Sequence, residues 1–105
     1  MTTLYQMRTY TLDSEASADA YEAVWTRHLS SLAKHKIHTY GVFRPVENRN
    51  QVMALVSYFP GEDPQAATAA YMASPEFRSD LEGFSGAMKS VDAVLMTPIP
   101  TSPMR

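Results

Sequence analysis

The chain has 105 residues, a formal net charge of −2, no cysteine and a single tryptophan. That length makes one domain, residues 1–105, able to bury roughly 60–70% of its unfolded surface. Interspersed charges with no basic run exclude a nucleic-acid footprint, and the lack of cysteine excludes disulfides, thiolate metal sites and a cysteine nucleophile.

The first residues are polar, with no charged segment leading into an apolar one, so no secretory signal is expected. No apolar run approaches the ~20 residues of a membrane span. The expectation is a soluble cytoplasmic protein with no membrane or nucleic-acid partner. Leu4 to Leu12 then reads as a strand with side chains worth burying on both faces. Tyr5, Met7, Thr9 and Thr11 alternate with Leu4, Gln6, Arg8, Tyr10 and Leu12. Helices on one side of a small sheet would leave the second set in water. The simplest cover for it is the sheet of a second copy, and so a homodimer through the open sheet face is expected.

Asp13-Ser14-Glu15 offers a helix N-cap, with Asp19 as the alternative. From Ala16 to about Lys36 the period is helical, and Tyr21, Val24, Trp25, His28, Leu29 and Leu32 form one stripe. Lys34, His35 and Lys36 suit the negative end of the helix dipole. Ile37 to Arg44 is β-rich, and Gly41 inside it predicts a bulge or a close backbone approach. Gln51 to Phe59 is the next strand, joined to the previous one as an antiparallel hairpin.

Pro60 to Pro64 breaks the strand; Asp63 caps a helix from Gln65 to Ala73, with Pro64 at its first position. Ser74 and Pro75 restart it in the same way. A second helical piece is predicted from about Glu76 to Met88, with Phe77, Leu81, Phe84 and Met88 as its stripe. Val91 to Thr97 is the last strand, and Pro98, Pro100 and Pro103 predict a stiff extended tail. Strand, helix, strand, strand, helix, strand is the split β-α-β order of α+β ferredoxin-like folds: a four-stranded antiparallel sheet with helices on one face.

The segment Tyr5 to Leu12, read as Tyr-x-x-Arg-Thr-Tyr-Thr-Leu, resembles the start of NIPSNAP-family domains. So do Gly41-Val42-Phe43, the spacing of Asn50, Val52, Leu55, Val56 and Tyr58, the Ser74-Pro75-Glu76-Phe77 turn, and the Pro-rich ending after Leu95. The likeness spans nearly the whole chain. Val56 stands where the family carries a Trp, Ala54 where it carries a His, and Ser74 and Phe77 replace an Asp and a Trp. The resemblance implies a dimeric α/β barrel, with two sheets face to face and a ligand pocket between each sheet and its own helices. Related enzymes include cofactor-free monooxygenases, isomerases, polyketide cyclases and haem-degrading enzymes, so the likeness gives a class and not a substrate.

That geometry directs Leu4, Gln6, Arg8 and Tyr10 at the partner sheet, and Tyr5, Met7 and Thr9 at the helices. By likeness to pocket-lining strand positions, Ala54, Val56 and Tyr58 share the helix-facing layer. The expected cleft is walled by Met7, Thr9, Tyr21, Trp25, Val56, Phe77, Phe84 and Met88, and takes a small hydrophobic ligand. His28 is the sharpest catalytic candidate, a titratable group near neutrality on an apolar helix face. As general acid or base it would contribute ~10²–10⁴-fold; the alternative is a packed histidine bonded to a carbonyl or water. Tyr5, Tyr58 and Tyr71 would orient a carbonyl or hold an enolate; the alternative for each is packing. Arg8 is expected as the buried end of an ion pair completed by the second subunit, because Gln6 stands where relatives often carry a glutamate.

His28 and His35 lie two helical turns apart with no third ligand, so neither a metal nor a haem is expected, nor any other cofactor. Three functions remain open. One is a cofactor-independent enzyme doing proton-transfer chemistry (isomerisation, cyclisation or elimination) on a small oxygenated metabolite, with cofactor-free monooxygenation as a subclass. Another is a non-catalytic ligand-binding module. The third is a structural dimer with a filled cleft.

Overall fold

The computed structural model describes residues 3–104. β1 runs Leu4–Leu12, α1 Glu15–Lys34, β2 Ile37–Phe43, β3 Gln51–Tyr58, α2 Pro64–Met72, α3 Pro75–Asp80 and β4 Met88–Met96. The strands form one sheet in the order β2-β3-β1-β4, every pair antiparallel. This is the ferredoxin-like architecture, with the helices on one side.

Each helix starts where a polar cap meets its own backbone. The Ser14 hydroxyl accepts from Ser17 N–H and starts α1. Asp63 accepts from Ala66 N–H at 2.8 Å, with Pro64 opening α2. Ser74 accepts from Phe77 N–H at 3.3 Å, and Pro75 opens α3. Ser74→Ala should cost about 1 kcal/mol of stability, the usual size of a lost cap. Urea unfolding measures it, and an unchanged midpoint would mean the cap contributes nothing. At Thr39/Gly41 the β2–β3 register slips by a bulge. A Cβ at Gly41 would meet the Phe43 ring at 2.6 Å, so a larger residue there would have to push that exposed ring aside.

Two element boundaries differ from the sequence pattern. The helix predicted to reach Met88 stops at Asp80, and Met88 opens β4. Apolar residues at Phe77, Leu81, Phe84 and Met88 mimic a helical stripe, but Gly83 adopts φ 85° and turns the chain back toward the sheet. The Pro-rich tail is not fully extended either, since Ser102 N–H bonds Ile99 O at 2.9 Å and closes a turn.

The larger correction concerns which side of β1 faces the helices. Gln6, Arg8 and Tyr10 pair across the sheet with Val56, Ala54 and Val52. Directly paired residues share a face, so the whole set points one way. That way is toward the helices: the Tyr10 ring packs on Tyr21 and Trp25 of α1, and Arg8 bonds Thr68 of α2. Ala54, Val56 and Tyr58 are helix-facing, as the family likeness implied. Tyr5, Met7 and Thr9 lie opposite Ser57, Leu55 and Met53 on the other face. Tyr5 is buried there against Tyr40, ring centroids 5.3 Å apart.

α1 packs over β1, β2 and β3, and α3 bridges α1 to α2. Leu12, Val24, Leu32, Ile37, Val52 and Val56 are fully buried and form the centre of the core. β4 is different, being exposed along its whole length on both faces.

Candidate active site

Between the inner face of β1 and β4 and the three helices lies a cavity of about 910 Å³. Val91, Ala93 and Leu95 of β4 line one side, and Trp25, Leu32, Phe77, Leu81 and Phe84 line much of the rest. Its polar surface comes from Gln6, Arg8, Gln65, Thr68, His28 and three tyrosines, and among the described residues no aspartate or glutamate is in the wall.

A buried polar cluster stands behind one wall. His28 and Ser31 lie one turn apart on the inner face of α1. Tyr71 comes from the end of α2, and Asp80 ends α3. Asp80 is only 4% exposed. It accepts from Ser31 Oγ at 3.0 Å, from the Tyr71 hydroxyl at 2.6 Å and from His28 Nδ1 at 3.0 Å. The Tyr71 hydroxyl also closes on His28 Nδ1. Burial opposes ionisation of Asp80, but the bonds from Tyr71, His28 and Ser31 outweigh it and hold the carboxyl below its ordinary value. Burial pushes His28 below its ordinary value, with Asp80 pulling the other way. Burial, then the hydrogen bond to Asp80 and the charge of Asp80, raise Tyr71, which stays a protonated donor.

These shifts describe a neutral imidazole beside an ionised carboxylate. A carboxylate at Nδ1 selects the tautomer with the proton on that nitrogen, leaving the Nε2 lone pair bare. Both hydrogen bonds described for His28 run through Nδ1, and the ring lines the cavity. Trp25 meets it edge-on at 5.0 Å, which fixes its plane.

The second polar group surrounds Arg8, 7% exposed. Its Nε donates to Gln6 Oε1 at 2.7 Å, and Nη2 donates to the Tyr58 hydroxyl at 2.8 Å and to Thr68 Oγ1 at 3.3 Å. Nη1 has only a long contact of 3.5 Å to the Tyr10 hydroxyl. Tyr58 in turn donates to Gln6 Oε1 at 2.8 Å. Arg8 therefore points into its own subunit's cavity and not at a partner sheet, because the β1–β3 register puts it over Ala54. The carboxylate expected from a second subunit is replaced by neutral oxygens of the same chain.

His28, Tyr71, Tyr21, Trp25, Phe77, Phe84 and Met88 all lie in the cavity wall. Tyr58 sits just behind it, bonded to Arg8, and Val56 is buried in the core under it. Tyr5, Met7 and Thr9 are on the far face of the sheet and cannot reach the cavity. Sequence reasoning missed Asp80, Ser31, Thr68 and the inward side of β4. One signal for Asp80 was available: it falls between Phe77 and Phe84 at three- and four-residue steps, a carboxylate inside an apolar stripe. Among the described residues no group of three or more His, Asp or Glu is placed to hold a metal, and no helix is long and apolar enough to cross a membrane.

The NIPSNAP family profile matches residues 5–103. A NIPSNAP family protein of unknown function from Agrobacterium tumefaciens superposes with a TM-score of 0.78 at 21% identity, covering 99% of this chain and 95% of that one. A NIPSNAP-like domain protein from Burkholderia xenovorans gives 0.75 at 20% identity, covering 97% and 90%. SnoaB, a cofactor-independent oxygenase from Streptomyces nogalater, gives 0.66 at 17% identity, covering 98% and 99%. At these identities the solved structures show a shared fold. No curated protein matches the chain.

Proposed function

The chain belongs to the NIPSNAP family, and from that premise we propose that it is a soluble, cytoplasmic, cofactor-independent enzyme working as a homodimer. Each cavity takes a small, mostly apolar, oxygenated molecule, and His28 moves a proton on it in an isomerisation, cyclisation or elimination. The observation that carries this reading is the Asp80–His28 pair at 3.0 Å, buried behind the wall while the ring lines the cavity.

The chemistry follows from that arrangement. Asp80 orients the ring through Nδ1–H, and Nε2 takes a proton from a carbon or oxygen of the bound molecule. The imidazolium so formed lies against the carboxylate, which offsets its charge. Nε2–H then returns the proton to a different atom, so His28 ends as it began. Ser31 and Tyr71 hold Asp80 and act as positioning residues.

Deuterium exchange from phenylpyruvate and benzoylacetone in heavy water, followed by NMR, tests the reading without knowledge of the natural substrate. His28→Gln should lower the exchange rate by about 10²–10⁴-fold, the usual share of a placed general base. In the wild type the rate should fall only on the acid side, below the ordinary histidine value of 6.5, because the neutral ring is the active form. Exchange no faster in wild type than in His28→Gln ends the proposal. A second reading, cofactor-free oxygenation, is supported by the fold shared with an oxygenase described as cofactor-independent. Dioxygen uptake matched to loss of the bound molecule distinguishes it.

The homodimer is supported by the sheet face turned away from the helices. Val94 is 58% exposed and Met96 37% exposed there, beside Met7, Leu55 and Met53. This apolar patch, bordered by Thr9 and Asp92 on the same face, calls for cover by another sheet.

A further inference from the structure

We infer that the molecule this cavity takes is an anion, and that Arg8 receives its negative group, a carboxylate or an enolate on an otherwise apolar body. The inference rests on reading the cavity as a ligand site; it does not depend on what His28 does there.

Arg8 is a buried, permanently charged guanidinium, 7% exposed. Buried cations are stable when paired with an anion and costly otherwise. Among the described residues no carboxylate lies within ion-pair distance of it. Glu62 pairs with Lys36, and Asp19 and Glu22 with Arg44, while Asp80 is bonded to His28, Tyr71 and Ser31, and Glu76 lies against His35. The cavity wall holds no acid at all, while it includes Arg8. Among the described residues Arg8 is therefore the formal charge in the wall itself, and the Asp80 carboxylate stands behind the wall with its oxygens bonded to His28, Tyr71 and Ser31.

The geometry shows which edge is available. Gln6, Tyr58 and Thr68 occupy Nε and Nη2 at 2.7 to 3.3 Å. Those neutral acceptors orient the fork without cancelling its charge. Nη1, with two N–H donors, has only the 3.5 Å contact to Tyr10. A carboxylate oxygen at Nη1 would complete the set. Trp25, Phe77, Phe84 and Leu95 supply the apolar surface for the rest of the molecule.

Matched probes that cannot react test this: 3-phenylpropionate, 4-phenylbutyrate and decanoate against their primary amides. Fluorescence of Trp25, the only tryptophan and a wall residue, reports binding. Measurement at about pH 8 keeps His28 neutral and the probes ionised. The wild type should prefer the carboxylates by about tenfold or more, the scale of one hydrogen bond to a charged group. Arg8→Gln should erase the preference while the amides bind within about threefold of wild type, and Arg8→Lys should keep part of it. Equal affinity for acid and amide in the wild type overturns the inference, as does a preference that survives Arg8→Gln or no carboxylate binding at all. The wild-type comparison stands even where a variant fails to fold. Preference for the acids without deuterium exchange would keep the anion site and remove the proton-transfer reading; exchange without the preference would do the reverse.

Discussion

Replacing Asp80 by alanine should destabilise the protein by about 2–4 kcal/mol, the cost of leaving three buried neutral donors without their shared acceptor. The variant leaves the His28 Nδ1 proton, the Tyr71 hydroxyl and the Ser31 hydroxyl without their shared acceptor. Each unsatisfied buried donor costs about 1–3 kcal/mol, and rearrangement recovers part of the sum. Urea unfolding gives the number. A loss under about 1 kcal/mol would mean that the cluster is solvated and that Asp80 holds nothing in place.

The same cluster sets the acid response. His28 is depressed in the folded state, so its proton binds the unfolded chain more readily; stability is full above 6.5 and erodes as pH falls from there. Asp80 is also depressed, so its contribution is present above 3.8 and is lost as pH falls through its lower folded value. Unfolding free energy of the wild type should therefore decline in two stages on acidification. In Asp80→Asn the lower stage should shrink. Stability that holds level or rises from about pH 7 to about pH 5 would contradict the assignment of His28 as neutral and buried.

The second large effect concerns assembly. The wild type should run in light scattering at twice the 11.7 kDa of one chain, and Leu55→Lys should run at 11.7 kDa. Leu55 lies at the centre of the uncovered face, opposite Met7, where an ammonium would be buried without a partner on both copies. A wild-type mass of one chain at micromolar concentration would remove the homodimer. A Leu55→Lys variant that stays paired would move the interface to another surface.

Much of the architecture can be read from the residues alone. Pro64 and Pro75 behind Asp63 and Ser74 mark two helix starts by chemistry that few other arrangements satisfy. Gly41 marks the bulge. What cannot be read is the side of β1 that meets the helices. Tyr5-Met7-Thr9 and Gln6-Arg8-Tyr10 are both buriable sets, and the choice between them is made by pairing register, which places Arg8 over Ala54. A one-residue slip would reverse it. Ala54, Val56 and Tyr58 face the helices, and the pairing register sets Gln6, Arg8 and Tyr10 beside them. Arg8 itself misleads because a charge among aromatics suggests an ion pair, whereas Gln6, Tyr58 and Thr68 meet it as neutral acceptors.

The uncovered β4 strand has a kinetic implication for whatever occupies the hollow. Val91, Ala93 and Leu95 line the cavity from a strand that stays exposed along its whole length. On the proposed reading, admission along this exposed strand would need no hinge or lid, and release would be limited by how firmly the polar head is gripped. For the anion we propose, selectivity would be lopsided: strict at the Arg8 and His28 end and permissive along the tail, where added length would project past the exposed strand into water.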